Sequence, residues 1–336
     1  MGLLASRGAA ARDASTLPAE TPPAGPATAR RIEELLRGYR GLLPAETVAA
    51  ILREFYSGLR AVVRPRRVAY LGPPQTYSYL AATAYFGHAV ELAPVGSIAA
   101  VFEEVERDQA DFGVVPIENS TDGRVADALH CLARSDVQIC GEAPLRIRHC
   151  LLGLGPRDQV VRVCSKPQAL SQCRNWLARH LPAAALVETA STAAAAEMAS
   201  GDARVAAIAS AEAAASHGLQ VLARNIEDNP DNITRFAVIG RQAAAKTGDD
   251  KTAVVFETPH EPGALADAMA VFKRSKLNLT WIESFPAPGQ RGRYLFFVEF
   301  QGHASDLRVR RALAALGRKA LRITLLGSYA QAAAIG

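Results

Sequence analysis

The sequence is poor in features that define several large classes of protein. It has five cysteines but no CxxC pair, only 6% of its residues are aromatic, and its apolar runs are short. An odd number of scattered cysteines argues against a disulfide framework or a zinc site and favours a reducing, cytoplasmic compartment. No run reaches the roughly 18 apolar residues of a membrane span, so no membrane partner is expected.

Signatures of the common cofactor and hydrolase sites are also missing. No GxGxxG, GxxxxGK[ST], HExxH or GxSxG motif occurs, and the seven histidines lack the spacing of metal ligands. We therefore expect neither a metal nor an organic cofactor. Most of the histidines are predicted to lie on the surface or to support other residues.

Length and charge indicate a protein of several domains that binds small acidic molecules. The 336 residues predict two or three domains, and 49% of them are hydrophobic, which is enough to build folded cores. The formal net charge is +5, and the basic cluster Arg64–Arg67 is short. Because a nucleic-acid-binding surface needs a concentrated basic face, no nucleic-acid partner is expected.

The N-terminal part of the chain predicts a tail followed by two helices. Residues 1–29 are rich in alanine and proline and are expected to be disordered. Residues 30–65 carry apolar side chains at helical spacing, interrupted at Pro44 and ended by Pro65. Two short helices bury too little on their own, so their apolar stripe must pack on the rest of the chain or on another subunit.

Between residues 66 and 241 short apolar runs alternate with helical patterns, one of them near Gln168–Leu181. This alternation predicts an α/β architecture with a largely parallel sheet, in which ligands bind at the carboxyl ends of strands. Polar motifs adjoin four predicted strands: Gly72–Ser78, Pro116–Thr121, Ser165–Gln168 and Asn229–Phe236. Their hydroxyls, amides and guanidinium suit a polyoxygenated anionic ligand. Helix capping explains any one motif equally well, but four at successive strand ends favour a binding site.

The C-terminal part begins after a polar, alanine-rich linker and follows a pattern of its own. Residues 252–330 predict the order β-α-β-β-α-β, the ferredoxin-like split motif. At fewer than a hundred residues, this is predicted to be a second, independent domain of small size.

Five motifs resemble one known family, the prephenate dehydratases that carry a C-terminal ACT domain. The resemblance runs from Arg67 to Tyr329, and its motifs are Pro116–Ser120, Ser165–Gln168, Thr234–Phe236, Gly263–Leu265 and Glu283–Ser284. It implies a dehydratase domain at residues 66–241, with two α/β lobes around a cleft like a periplasmic binding protein. It also implies an ACT regulatory domain at residues 252–330. The helices before Arg67 resemble the later helices of a chorismate mutase domain, which bifunctional relatives carry ahead of the dehydratase.

The resemblance also implies a reaction and the residues that perform it. The family converts prephenate to phenylpyruvate with loss of CO2 and water, and Thr234 matches its essential threonine, which assists the leaving hydroxyl. Arg235 is expected to anchor a substrate carboxylate. The other implied substrate-binding residues are Thr76, Asn119, Ser120, Ser165, Gln172, Ser191 and Thr192. The implied effector is L-phenylalanine, bound in a homodimer or homotetramer by Gly263, Ala264, Leu265, Asn278, Leu279, Glu283 and Ser284.

Four departures from the family pattern set expectations of their own. Gln75 replaces a glycine, which costs strain if the position needs a positive φ, and Lys166 replaces a histidine. Phe285 replaces the arginine of the effector motif, which puts the response to L-phenylalanine in question. A proline-rich segment stands in place of the first mutase helix and its catalytic side chains, so chorismate mutase activity is expected to be absent.

The residues leave three hypotheses open. The leading hypothesis is a monofunctional prephenate dehydratase of phenylalanine biosynthesis. The second is a related enzyme, either an arogenate dehydratase or a prephenate decarboxylase that keeps the hydroxyl, because Gln75 and Lys166 alter the rim of the cleft. The third is a non-catalytic amino-acid-binding regulator, against which the intact Thr234 argues.

Overall fold

The computed structural model describes residues 28, 31–32, 35–287 and 293–335, so most of the expected tail, residues 1–29, lies outside the described residues. From residue 45 onward the α-helices are α1 (Ala45–Val63), α2 (Tyr77–Phe86), α3 (Ile98–Glu106), α4 (Ala126–Leu132), α5 (Pro167–Gln172), α6 (Arg174–His180), α7 (Thr192–Ser200), α8 (Ala211–Ser216), α9 (Ala264–Arg274) and α10 (Leu307–Gly317). The strands are β1 (Arg67–Leu71), β2 (Glu91–Val95), β3 (Phe112–Asn119), β4 (Gly123–Arg124), β5 (Gln138–Arg146), β6 (Cys150–Gly153), β7 (Arg162–Ser165), β8 (Ala185–Glu188), β9 (Val205–Ala209), β10 (Gln220–Ala223), β11 (Ile233–Gly240), β12 (Asp250–Glu257), β13 (Leu279–Pro286), β14 (Tyr294–Gln301) and β15 (Arg322–Ala330). In the described part of the chain, no helix combines the length and apolar character that crossing a membrane requires.

Helix α1 matches the second of the two predicted N-terminal helices and packs on the α/β part of the chain. Glu54 accepts the backbone N–H of residue 88, and Ser57, which is buried, accepts that of residue 89. Ile51 and Val62, both in the predicted apolar stripe, are about half exposed. The stripe is therefore covered only in part within one chain.

The first lobe is built on a mixed sheet with the strand order β2-β1-β3-β11-β5, and β4 pairs with β3. Strand β1 is parallel to β2 and β3, whereas β11 lies antiparallel between β3 and β5. The expectation of a largely parallel sheet is therefore wrong here. The physical reason is the route of the chain: it leaves this lobe after β5 and returns through β11 in the opposite direction.

The second lobe has the strand order β10-β6-β9-β7-β8 and is also mixed. The predicted helix near Gln168–Leu181 is divided into α5 and α6, because Cys173 leaves the helical backbone region at φ −114° and ψ 11°. Two lobes that the chain joins by two crossings form the periplasmic-binding-protein-like architecture that the resemblance implies.

The C-terminal sheet has the strand order β13-β14-β12-β15 and follows the predicted βαββαβ sequence of elements. Helices α9 and α10 cover one face. The other face packs on the first lobe, where Val255 and Phe297 share a buried cluster with Ile117 and Ile139. Strands β15 and β5 approach so closely that a Cβ on Gly327 would lie 2.1 Å from the carbonyl oxygen of Ile139. The C-terminal unit and the first lobe therefore share an apolar core.

Candidate active site

Strand β11 carries a threonine, Thr234, whose hydroxyl accepts a hydrogen bond from the protein but donates none to the described residues. Thr234 lies opposite Asn119 of β3, and the side-chain nitrogen of Asn119 donates to the Thr234 hydroxyl at 2.8 Å. The same nitrogen donates to the side-chain oxygen of Asn232 at 2.9 Å. The oxygen of Asn119 accepts the backbone N–H groups of Thr121 and Asp122, so this amide uses its whole hydrogen-bonding capacity. The hydrogen of the Thr234 hydroxyl finds no acceptor among the described residues and is therefore available to a ligand.

Gln172 joins the two lobes directly beside this pair. Its side-chain oxygen accepts from Asn232 Nδ2 at 3.0 Å and from His149 Nε2 at 2.9 Å. Its side-chain nitrogen donates to the carboxylate of Asp122 at 2.8 Å. Since Gln172 ends α5 in the second lobe and Asp122 lies between β3 and β4 in the first, this side chain fixes how the lobes meet beside Thr234.

His149 lies behind Gln172 and is uncharged at neutral pH. The residue is 2% exposed, and burial lowers the pKa of its imidazole more than the hydrogen bond to Gln172 raises it. Because the Gln172 oxygen only accepts, Nε2 carries the hydrogen and Nδ1 is an acceptor. The Tyr77 hydroxyl lies 3.0 Å from Nδ1 and donates its single hydrogen to the carbonyl oxygen of Arg148 at 2.7 Å. Burial raises the pKa of Tyr77 well above its usual value, so the phenol stays protonated. We call these hydrogen-bonded residues the cleft network: Tyr77, Asn119, Asp122, His149, Gln172, Asn232 and Thr234.

Arg235 does not face the cleft network. Adjacent residues of a strand point to opposite faces, so Arg235 projects from the back face of β11, toward the C-terminal sheet. Its guanidinium lies 2.6 Å from Glu299, 2.9 Å from Glu118 and 3.1 Å from Glu142. Lys251 lies 2.8 Å from Glu142 and completes what we call the charged network, which consists of these five residues. Three protein carboxylates already share its guanidinium, so this geometry disfavours the expectation that Arg235 anchors a substrate carboxylate, and that expectation stays a prediction.

Comparison with known proteins assigns this arrangement to a family. A family model described as prephenate dehydratase matches residues 68–244, more than half of the chain. The chain belongs to the prephenate dehydratase family. The bifunctional chorismate mutase/prephenate dehydratase of Aquifex aeolicus (strain VF5) is 42% identical over 295 residues, which cover 88% of this chain and 82% of that protein.

Solved structures of similar proteins agree with the fold. The Arthrobacter aurescens prephenate dehydratase in complex with L-Phe superposes with a TM-score of 0.74 and 37% identity, over 79% of this chain and 90% of that chain. GqqA, described as a novel type of quorum quenching acylase, superposes with a TM-score of 0.72 and 30% identity, over 80% of this chain and 98% of that chain. The family that the motifs indicate is thus confirmed.

The other hydroxyls implied by the prephenate dehydratase pattern bind the protein backbone or lie buried. Thr76 donates to carbonyl oxygens of its own turn at 3.0 and 3.2 Å, and Ser120 accepts the N–H of residue 233 at 2.9 Å. Ser165 is fully buried and donates to a carbonyl oxygen of β9 at 2.6 Å. Ser191 caps α7, and Thr192 is buried at the first position of that helix. Among the described residues, these side chains have no hydrogen bond to Thr234, unlike Asn119.

The effector positions of the prephenate dehydratase pattern lie on and around the C-terminal sheet. Gly263 precedes α9 with a left-handed backbone at φ +84°, which favours glycine. Glu283 binds Arg124 of the first lobe at 3.0 Å. Phe285, the departure from the family's arginine, is buried against the ring of His130, with the ring centroids 5.2 Å apart. Two members of the effector motif therefore contact the first lobe.

Sequence patterns do not single out four members of the cleft network. Tyr77 and Asn232 lie inside two of the polar motifs, but only the structure shows where their side chains bind. Asp122 follows the Pro116–Thr121 motif by one residue. His149 has no signal of its own, because no spacing rule connects it with Gln172, its partner across the fold.

Proposed function

We propose that this chain is a prephenate dehydratase, which converts prephenate to phenylpyruvate, CO2 and water. The observation that carries the proposal is the hydroxyl of Thr234, whose oxygen is held by Asn119 while its hydrogen is left for a ligand. A hydrogen-bond donor that is fixed before the substrate arrives stabilises charge that develops on a departing oxygen. The family assignment and this geometry support the same reaction.

The proposed reaction balances with one added proton. The bond from the ring to its carboxylate breaks and releases CO2, and its electron pair moves into the ring. The C–O bond on the opposite side of the ring breaks, and the leaving oxygen takes up one proton and departs as water. Thr234 donates a hydrogen bond to that oxygen, or relays the proton to it, since a hydroxyl is too weak an acid to supply the proton permanently at neutral pH. Formation of the aromatic ring drives the reaction.

The substrate carries two carboxylates, and Lys166 supplies a cation that Arg235 does not. Lys166 directly precedes α5, the helix that ends in Gln172. It is exposed, and among the described residues no carboxylate forms an ion pair with it. We assign it to one carboxylate of the substrate, because an ammonium binds a carboxylate without the fixed geometry that a guanidinium requires.

We also propose L-phenylalanine as an effector bound in a homodimer. The complex of the Arthrobacter aurescens relative with L-Phe supports the choice of ligand. Leu265, Asn278 and Ser284 are exposed, and strand pairing puts Asn278 and Gly263 at opposite ends of the C-terminal sheet. A second copy of the chain would bring the two ends together. Equilibrium dialysis and sedimentation test this: binding of L-phenylalanine with full affinity by a monomer would contradict it.

The reaction is tested with purified protein and prephenate at neutral pH, with the products identified by mass spectrometry. Phenylpyruvate is the expected product. A product that keeps the ring oxygen would indicate a decarboxylase, and turnover of arogenate but not prephenate would indicate an arogenate dehydratase. Folded protein that binds L-phenylalanine and turns over neither substrate would refute the dehydratase and favour a regulator. Chorismate, supplied separately, tests the expected absence of mutase activity.

A further inference from the structure

The Thr234–Asn119 pair and the charged network occupy two adjacent rungs of one ladder. In the pairing of β11 with β3, Thr234 lies opposite Asn119 and Arg235 lies opposite Glu118. The Thr234–Asn119 pair forms a side-chain hydrogen bond on the cleft face, and the Arg235–Glu118 pair forms an ion pair of 2.9 Å on the back face. A shift of register between Arg235 and Phe236 separates these rungs from the rest of the ladder. An irregularity of this kind re-aims the side chains beside it, so the aim of Thr234 and Arg235 is set locally.

All four strands of the C-terminal sheet reach the back of these two rungs. Glu299 of β14 lies 2.6 Å from Arg235, and Lys251 of β12 lies 3.3 Å from Glu299. The Tyr329 hydroxyl of β15 donates to Glu299 at 2.5 Å. The ring of Trp281, in β13, lies 5.3 Å from the guanidinium carbon of Arg235. A displacement of this sheet relative to the first lobe would therefore act on Arg235.

Two carboxylates of the charged network are closed off from water. The side chains of Glu142 and Glu299 are each 1% exposed, and three carboxylates share the two cations Arg235 and Lys251. Burial alone would raise the pKa of Glu299, but the two cations and two hydrogen bonds hold that pKa below its usual value, so the carboxylate stays charged. Loss of either cation would leave a buried carboxylate uncompensated, which is strongly unfavourable.

We propose that Arg235 is a positioning residue, through which the C-terminal sheet sets the geometry of the Thr234–Asn119 pair and thereby the rate of turnover. The inference rests on the proposed function. A buried ion network that served stability alone would predict no specific effect on turnover, and this difference can be measured.

Two substitutions in the C-terminal sheet form a matched test. Glu299→Gln removes the carboxylate that binds Arg235, and Glu257→Gln removes another buried carboxylate of the sheet, whose partner Arg293 lies 3.1 Å away. The measurements are kcat and KM for prephenate, together with Tm. We expect Glu299→Gln to lower kcat about tenfold, within the range of coupling along such networks. KM should change by less than about twofold because Arg235 does not touch the substrate, and Glu257→Gln should keep its kcat.

Arg235→Lys separates positioning from substrate binding. It keeps the charge and should retain part of the turnover, with KM unchanged. A raised KM at unchanged kcat would show that Arg235 binds the substrate, and the proposal would be overturned. Equal losses of kcat in Glu299→Gln and Glu257→Gln would overturn it as well, because the effect would then follow stability.

Amide hydrogen exchange gives a second measurement that needs no turnover. Residues 117–120 and 232–236 should exchange faster in Glu299→Gln than in Glu257→Gln. Equal exchange in the two variants would count against the positioning role. If the wild-type protein yields no phenylpyruvate, the proposed function fails, and the exchange comparison still decides whether the C-terminal sheet holds this ladder.

Discussion

The two faces of β11 use their polar groups in opposite ways. On the back face, Arg235 is shared among three carboxylates, and Lys251 binds two of the same three. On the cleft face, amides, a neutral imidazole and hydroxyls bind one another, with Asp122 as the charged member. The Thr234 hydroxyl on this face keeps a hydrogen that has no acceptor among the described residues. The polar groups of the back face are largely buried and bind one another, whereas the Thr234 hydroxyl on the cleft face keeps an unused donor.

This difference indicates where the molecule keeps its binding capacity. A polar group whose partners all belong to the protein stabilises the fold or positions its neighbours, and a group with an unused donor is available to a substrate. Charge alone does not identify the second kind. The guanidinium of Arg235 binds carboxylates of the protein, and the proposed chemistry is assigned to Thr234, the uncharged side chain next to it.

Removal of the Thr234 hydroxyl should have the largest effect. Thr234→Ala deletes the donor assigned to the leaving oxygen, and loss of one such donor lowers kcat by roughly 10²–10³, or about 3–4 kcal/mol. Thr234→Ser keeps the hydroxyl and is the matched control, expected to retain most of the activity. The measurement is kcat for phenylpyruvate formation. Equal kcat values for Thr234→Ala and Thr234→Ser would show that the hydroxyl on the cleft face takes no part in turnover, and the contrast drawn between the two faces would be wrong.

Only part of this division can be predicted from the sequence. The period of two in a strand already puts Thr234 and Arg235 on opposite faces, and the polar motifs mark the strand ends. Which face meets the cleft depends on how the C-terminal sheet packs on the first lobe, and no local pattern encodes that packing. His149 and Gln172 are neighbours only through the fold of the second lobe. The helix break at Cys173 carries neither proline nor glycine, so the helical pattern runs through it.

Lys166 should have a smaller effect, of a different kind. Lys166→Met removes the ammonium assigned to a substrate carboxylate and should raise KM about tenfold, as for loss of a hydrogen bond to a charged group. Because the interaction is present before and during the reaction, kcat should change little. Lys273→Met, at an exposed lysine of α9, is the control. An unchanged KM in Lys166→Met would mean that the cleft binds its anion without this side chain.

His149 should make the stability of the cleft sensitive to acid. Its pKa in the folded protein is lowered by burial, so below about pH 6.5 the unfolded chain takes up a proton that the folded chain refuses. The stabilising contribution is therefore full above that pH and is lost as the pH falls toward the folded-state pKa.

Urea unfolding between about pH 7.5 and 5.5 measures this dependence. The free energy of unfolding should fall more steeply with acid in the wild type than in His149→Gln. Tyr77→Phe removes the hydroxyl beside His149 but introduces no titration in this range, so it should lower stability while keeping the dependence on pH. Identical slopes for the wild type and His149→Gln would show that His149 does not sense acid.

Substitution of Gln75 should give the smallest effect, a change in the free energy of unfolding. The strained backbone of this residue lies near the cleft. Its φ is +64°, as expected for a position where the family has glycine, and a left-handed backbone costs a residue with a Cβ about 1–2 kcal/mol. Glycine gives back about 0.5–1 kcal/mol through the larger entropy of the unfolded chain. Gln75→Gly should therefore raise the free energy of unfolding by up to about 1.5 kcal/mol.

Lys276→Gly is the matched control for Gln75→Gly, because Lys276 has φ +51° in the loop before β13. Both variants should gain stability by similar amounts in urea unfolding. Only Gln75→Gly should also change KM for prephenate, since Gln75 lies two residues before Tyr77 of the cleft network. An equal change of KM in Lys276→Gly would mean that relief of backbone strain in the C-terminal unit affects substrate binding as much as relief of strain beside the cleft. The back face of β11 would then couple the C-terminal unit to the cleft through more than the ion pairs of Arg235.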